Sequence, residues 1–156
     1  MIPNLFSKEP VPEKIPESME DKIKEFAKSK DKEIFLKKSF YHVVSKSRPR
    51  RGFTILRCNE AFKTDIIYLW EKKGYIPCTS LNYLVRVMLV KSGLFREEDI
   101  ELKLTNTWYI MIHQYLRVRI NEKKYINVDP FGYSFGIRFG DYAHGFHAGT
   151  LTPVKK

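Results

Sequence analysis

The first half of the chain carries apolar side chains at the three- and four-residue spacing of amphipathic helices. Ser18 and Asp21 form a helix-start pattern, and Asp31 is expected to begin a second helix. A third helix is predicted over residues 59–73, with Gly74 at its C-terminal cap. The apolar stripes of these helices consist of Ile23, Phe26 and Ala27; Leu36, Phe40, Val43 and Val44; and Phe62, Ile66, Leu69 and Trp70.

The most apolar segment of the chain begins at Cys78 and is expected to end at Gly93. A helix that is apolar nearly all round is buried. One stripe of this segment is Leu81, Leu84, Val85 and Met88, and the side chains that cover its other faces are Val87, Leu89 and Val90. Cys78 is therefore predicted at the start of a central buried helix.

Beyond Gly93 the hydrophobic period changes to two, which predicts strands over residues 101–105, 109–120 and 124–129. The apolar side chains expected on the core face are Ile110, Ile112, Leu116, Val118 and Ile120 of one strand and Ile126 and Val128 of the next. An odd-length loop is needed for these sets to meet in an antiparallel hairpin, and residues 121–123 provide it. Asp129 then lies opposite Tyr115, one diagonal step from His113, on the other face.

These elements predict an α+β fold, in which N-terminal helices and a central buried helix starting at Cys78 pack on an antiparallel sheet. The length of 156 residues favours one domain. Residues 1–17 are expected to form an extended, proline-rich arm, and residues 18–156 a single domain. The prolines of the arm are Pro3, Pro10, Pro12 and Pro16.

The chain is basic, with 28 Lys and Arg against 18 Asp and Glu and a net charge of +10. Such a charge attracts nucleic acid, anionic membranes or acidic protein surfaces. The lysines are spread along the chain, which is equally typical of a protein that uses lysine for solubility. The densest basic run, from Lys46 to Arg51, is most often a solvated linker. We keep a nucleic-acid-binding protein as an alternative, although no signature of such a module accompanies the charge.

Two cysteines, Cys58 and Cys78, cannot form a disulfide framework. The N-terminal residues do not resemble a signal peptide, and no stretch approaches the roughly 18 apolar residues of a membrane span. We therefore expect a cytoplasmic, reducing setting in which both thiols are free. No compatible His-Asp pair is predicted beside Cys58, which is therefore interpreted as structural.

Cys78, His113 and Asp129 are the residue types of a thiol acyl-transfer site. A helix N-terminus and a nearby imidazolium both stabilise the reactive thiolate of a cysteine. His113 is expected to take the thiol proton and later to give it to the leaving group, while Asp129 holds the ring in the right tautomer. The backbone N–H of Cys78 is expected to donate to the oxyanion of a tetrahedral intermediate.

Three stretches resemble the catalytic core of the transglutaminase-like superfamily, a group of papain-like thiol enzymes. They are G-Y-I-P-C-T-S-L-N-Y-L-V-R-V-M-L-V-K-S-G (74–93), I-H-Q-Y-L-R-V-R-I (112–120) and K-Y-I-N-V-D-P (124–130). The resemblance covers about residues 60–132 and rests on the order Cys, His, Asp. Members often place an aromatic side chain from upstream of the Cys in the oxyanion hole, for which Trp70 and Tyr75 are the positional candidates.

The resemblance implies acyl transfer from a protein or peptide amide through a thioester on Cys78, without a cofactor. Water as the acceptor makes the protein a cysteine peptidase or amidase, and a primary amine makes it a protein-glutamine transglutaminase. We expect hydrolysis, because the chain is minimal and has no obvious second-substrate domain. A catalytically inert interaction module on the same fold is a further alternative.

A second cluster of candidate metal-ligating or catalytic side chains lies near the C-terminal end. Asp141, His144 and His147 are metal-ligand types, and they form a weak alternative site without an evident further ligand. His144 or His147 is also the alternative catalytic base in place of His113.

Overall fold

The computed structural model describes residues 2–49 and 58–154, which form five α-helices and one three-stranded sheet. The helices are α1 (Glu17–Ala27), α2 (Lys32–Lys46), α3 (Ile66–Glu71), α4 (Cys78–Lys91) and α5 (Pro130–Tyr133). The strands are β1 (Ile100–Thr107), β2 (Met111–Arg119) and β3 (Tyr125–Val128), and two short 3₁₀ helices lie at Cys58–Phe62 and Glu97–Asp99. The sheet is antiparallel in the order β1-β2-β3, so the predicted α+β class is confirmed.

Helix α4 lies at the centre of the molecule, as its all-round apolar pattern predicted. Eleven of its 14 residues are buried, and it packs against α2 on one side and β2 on the other. It begins at Cys78 and ends before Gly93, which has a φ of +73° that suits a residue without a side chain. Within residues 2–49 and 58–154, neither α4 nor any other helix is long and apolar enough to cross a membrane.

The first two helices differ in how they begin. Asp31 caps α2 as predicted, because its carboxylate accepts a hydrogen bond from the backbone N–H of Ile34. The helix-start prediction at Ser18 is wrong in detail, since α1 follows Pro16 and has no side-chain cap. The hydroxyl of Ser18 instead accepts a hydrogen bond from Trp70 Nε1.

The single helix predicted over residues 59–73 is wrong. The segment is divided into a 3₁₀ helix and the short helix α3, because Asp65 caps a new helix by accepting from the N–H of Tyr68. Phe62 is exposed rather than part of a buried stripe. Gly74 does not cap α3, which ends three residues earlier; it has a φ of +104° and forms a bridge to Ser47.

The register of the β2–β3 hairpin is the one that the hydrophobic pattern predicted. Leu116 pairs with Val128 and Val118 pairs with Ile126, and these four side chains are buried. A continuation of this register places Asp129, just beyond β3, opposite Tyr115.

Two residues expected on the core face are exposed, namely Ile110 and Ile112. Strand β2 begins only at Met111, and Ile110 belongs to the turn before it. Ile112 lies past the part of β2 that pairs with β3, where it borders a cavity instead of the core. The opposite face of β2 is covered by the C-terminal segment, because the ring of Tyr142 stacks on that of Tyr115 with centroids 4.0 Å apart.

Residues 2–16 contain no helix or strand, and they lie along α4. The guanidinium of Arg86, which is 1% exposed, donates to Asn4 Oδ1 and to the carbonyl of Glu9. The amide of Gln114 donates to the carbonyls of Asn4 and Leu5. The arm therefore supplies hydrogen-bond acceptors to buried polar groups of the domain.

Candidate active site

His113 and Asp129 meet as the register argument predicted. Nε2 of His113 lies 2.8 Å from Oδ2 of Asp129, and both side chains are buried. β2 carries the histidine in its first half, and the end of β3 delivers the carboxylate to the same face. The pair therefore follows from the alternation of the two strands.

The carboxylate of Asp129 is held from three directions. Oδ1 accepts from the backbone N–H of Gly132 at 2.8 Å, and Oδ2 accepts from the N–H of Ala143 at 2.9 Å as well as contacting His113. The contact with Gly132 is an N-cap, because Asp129 precedes α5 and Pro130 occupies its first position. The Asp-Pro sequence thus ends the strand, starts a helix and fixes the orientation of the carboxylate that faces His113.

Cys78 lies at the first position of α4 and lines one cavity of about 360 Å³ together with His113. One turn into the helix, the amide of Asn82 donates to the backbone carbonyl of Gln114 at 2.9 Å, which ties α4 to β2 beside His113. The Cys78 side chain is among the influences that raise the pKa of His113. Because Asp129 occupies Nε2, the nitrogen available to the thiol is Nδ1.

The environment of His113 favours the charged imidazolium. Burial by itself lowers the pKa of His113, but the negative charge of Asp129 and the hydrogen bond to it act more strongly together, with a smaller contribution from Cys78. Their combined effect raises the pKa of His113 to about 10. At neutral pH the ring is therefore protonated and can act as an acid.

The start of α4 is suited to negative charge. The first hydrogen bond of the helix runs from the N–H of Leu81 to the carbonyl of Pro77, so the amides of the preceding first turn have no partner within the helix. Within α4, which the structure describes completely, the first turn contains no acidic residue, and the N-terminus has no side-chain cap. A thiolate or oxyanion at Cys78 would face these amides and the positive end of the helix dipole.

Only one of the two aromatic oxyanion candidates lies at the site. Tyr75 lines the cavity with Cys78. Trp70 is buried elsewhere: its indole N–H donates to Ser18, and the ammonium of Lys46 lies 3.3 Å from its ring centroid. Trp70 packs in the core, as its place in the apolar stripe indicated, and it is not among the described residues that line the cavity of Cys78.

Asp141, His144 and His147 lie outside the cavity. Nε2 of His147 is 2.7 Å from Oδ2 of Asp141, whereas Nδ1 of His144 contacts the carbonyl of Tyr142 at 3.1 Å. Across residues 2–49 and 58–154, no group of three or more His, Cys, Asp or Glu is placed to hold a metal ion. Neither histidine replaces His113 beside Cys78.

Two remaining predictions concern the segment around residue 50. Lys46 and Arg48 of the basic run border a surface cavity, and burial together with the charge of Lys73 lowers the pKa of Lys46 to about 8. Arg50 and Arg51 lie outside the described residues, as does the side chain of Cys58, so the structural role of Cys58 stays a prediction.

Sequence reasoning missed the backbone groups that orient the pair. The amide of Gly132 had a local signal, since an Asp three residues before it is typical of an N-cap. The amide of Ala143 had none, because it comes from the glycine-rich segment, which carries no hydrophobic period. Phe131, whose ring centroid is 5.9 Å from that of His113, was also missed.

Comparison of the chain with protein-family models, with curated proteins and with solved structures finds no match. Function is therefore inferred from the residues and geometry of the site alone.

Proposed function

We propose that this protein is a thiol-dependent acyl-transfer enzyme that cleaves protein or peptide amide bonds through a thioester on Cys78. The observation that carries the proposal is the 2.8 Å contact between His113 Nε2 and Asp129 Oδ2, in the wall of a cavity that Cys78 also lines. A histidine fixed in this way presents its other nitrogen to the thiol, which is the arrangement that nucleophilic catalysis by cysteine requires.

The first half of the reaction forms the thioester. The thiolate sulfur of Cys78 attacks the amide carbon, a C–S bond forms, and the carbonyl oxygen becomes an oxyanion next to the unpaired amides of α4. The C–N bond then breaks, and the imidazolium of His113 gives its proton to the departing amine. The raised pKa of His113 ensures that this proton is present at neutral pH.

The second half releases the acyl group. His113, now neutral, removes a proton from water, the water oxygen attacks the thioester carbon, and the C–S bond breaks to return the thiolate of Cys78. Asp129 holds the ring with Nδ1 toward the sulfur throughout. A primary amine in place of water would give a new amide, which is the transglutaminase reaction, and the same three residues serve both acceptors.

The proposal includes the transglutaminase-like arrangement of the core. Support comes from a Cys at the start of a central buried helix and from a His and an Asp on consecutive antiparallel strands, in that chain order. A reducing compartment such as the cytoplasm would keep the thiol of Cys78 available for this chemistry.

The first test is the reaction of Cys78 with iodoacetamide at pH 6, followed by peptide mass spectrometry. An ordinary thiol, with a pKa of about 8.5, is only roughly 0.3% thiolate at this pH. If the imidazolium holds Cys78 as thiolate, we expect alkylation on the order of 100-fold faster than that of glutathione. His113→Ala should remove most of this advantage.

The second test is turnover of peptide and glutamine-amide substrates with and without an added primary amine. We expect Cys78→Ala and His113→Ala to abolish turnover together, because members of one catalytic unit fail together. Asp129→Asn should lower the rate less than either, or impair folding, since its role is orientation. Full turnover by folded Cys78→Ala would refute the thiol mechanism. An inert interaction module would show neither fast alkylation nor turnover.

A further inference from the structure

Large hydrophobic side chains at the end of the β1–β2 hairpin are exposed, although such side chains are usually buried. The exposed fraction is 71% for Tyr109, 86% for Ile110, 60% for Ile112 and 75% for Phe146. We call these four side chains the apolar rim. An exposed apolar cluster of this kind marks a binding surface.

The apolar rim is held in a defined position. Trp108 and Tyr109 have φ angles of +54° and +56°, which are typical of a tight hairpin turn. The N–H of Trp108 donates to the carbonyl of Gly145 at 2.8 Å, and the N–H of Gly145 donates to the carbonyl of Asn106 at 2.7 Å. The rings of Tyr109 and Phe146 contact each other with centroids 5.2 Å apart. The C-terminal segment is thereby fixed to the hairpin.

The rim continues into the cavity of the candidate active site. Ile110 and Ile112 line that cavity together with Cys78 and His113. The wall also includes Phe131, whose ring centroid lies 5.9 Å from that of His113. Apolar side chains of the exposed rim and of the cavity wall therefore share one cavity with Cys78.

Apart from His113, whose ring contacts Asp129, the cavity offers little to a charged or strongly polar side chain. Among the described residues that line it, none is Asp, Glu, Lys or Arg. Thr107, one of its polar members, donates to the carbonyl of Met111 at 3.5 Å. A buried amide or charge without partners would be disfavoured here, whereas an apolar group would gain from leaving water. The volume of about 360 Å³ is near the lower end for ligand pockets and suits one such group.

We propose that this cavity selects acyl donors that carry a large apolar group beside the reacting carbonyl, and that Ile110 and Ile112 determine this specificity. The inference rests on the proposed function, because it identifies the substrate class of the same Cys78 site. The apolar group has two chemical sources, an aromatic or aliphatic peptide side chain and a fatty acyl chain.

The experiment compares three alkylating reagents with the same reactive group at pH 6: iodoacetamide, N-benzyl iodoacetamide and N-octyl iodoacetamide. In each, the thiolate of Cys78 displaces iodide and forms a C–S bond. The rate at Cys78 is measured by peptide mass spectrometry and divided by the rate with glutathione. Each buried methylene improves binding about fourfold. We therefore expect at least a tenfold preference for an apolar reagent, and a rate that saturates as the concentration of that reagent rises. A faster benzyl reagent identifies a peptide side chain, and a faster octyl reagent identifies an acyl chain.

Variants test the residues that carry the inference. Replacing both rim isoleucines, Ile110→Ser and Ile112→Ser, should lower the apolar preference at least threefold. Because both side chains are exposed, the double variant should fold, which circular dichroism checks. Ile67→Ser is the matched control, since Ile67 is 53% exposed on α3 and does not line the cavity. It should leave the preference unchanged.

The possible outcomes distinguish a failure of the apolar selectivity from a failure of the proposed function. Equal normalised rates for the three reagents, with Cys78 still reacting fast at pH 6, would overturn the apolar selectivity and leave the thiol mechanism standing. Slow reaction of Cys78 with every reagent would overturn both. The comparison of reagents on the unaltered protein decides the question even if the double variant fails to fold.

Discussion

Gly132→Ala is expected to disable the site without replacing any of its three reactive side chains. A Cβ at Gly132 would lie 2.3 Å from Oδ2 and 2.7 Å from Cγ of Asp129, whereas ordinary contact begins at 3.4 Å. The carboxylate would therefore have to withdraw by about 1 Å. The backbone of Gly132 is outside the left-handed region, so the conflict comes from the added methyl group alone.

We expect this withdrawal to break the contact between Asp129 and His113, because the Oδ2 atom that the new Cβ would meet is the one that contacts His113. A displacement of about 1 Å in a catalytic group lowers the rate on the order of 100-fold. Without its partner, His113 is governed by burial, and its pKa should fall from the raised value of about 10. A hydrogen bond to a charged group is worth about 1.5–3 kcal/mol, so the free energy of unfolding should decrease by roughly 2 kcal/mol.

The assays are alkylation of Cys78 at pH 6, substrate turnover and unfolding in urea. Ser134→Ala is the control, because Ser134 lies one residue beyond α5, is buried, and its hydroxyl has no hydrogen-bond partner among the described residues. It should behave like the unaltered protein. If folded Gly132→Ala keeps the full alkylation rate and turnover, the carboxylate of Asp129 does not orient His113, and the reasoning is wrong.

Three further predictions concern stability and the second cysteine. The pKa of His113 is raised from 6.5 to about 10 in the folded protein, so the stabilising contribution of the protonated ring is complete below pH 6.5 and is lost as the pH rises toward 10. Urea unfolding should show this decline in the free energy of unfolding, and His113→Gln should flatten the pH dependence. Deleting residues 1–17 removes acceptors from the buried guanidinium of Arg86, so we expect a loss of roughly 2 kcal/mol, and an unchanged melting temperature would contradict this. Cys58→Ala should leave turnover and the alkylation of Cys78 unchanged, and a large loss of either would disprove the structural interpretation of Cys58.

The pairing of His113 with Asp129 was predictable because strand alternation is a strict rule. Once the apolar side chains Ile126 and Val128 are required to face the core, the opposite face of Asp129 follows. The burial of α4 was equally predictable, since its apolar side chains cover every face. These inferences depend on periodicity over many residues, which single local signals do not outweigh.

The errors come from places where a local contact determines the structure. Residues 59–73 carry a helical stripe, but the cap at Asp65 divides it, because a capped new helix satisfies the backbone there. Ile110 and Ile112 continue the alternation of β2, yet they lie where no element covers the sheet. The amide of Ala143 reaches Asp129 across 14 residues, and no periodic pattern records such a contact.

A buried His-Asp pair alone would be consistent with a purely structural role, since it stabilises the junction of β2, β3 and α5. The surroundings of the pair favour chemistry over structure. A structural ion pair gains from complete packing, yet the ring of His113 borders a cavity of about 360 Å³. Cys78 shares this cavity and lies at a helix N-terminus. For stability alone, any small apolar side chain would suffice at that position. Cys78 and the open volume lie beside the imidazole whose Nε2 contacts Asp129, and this arrangement supports the nucleophilic catalysis that we propose.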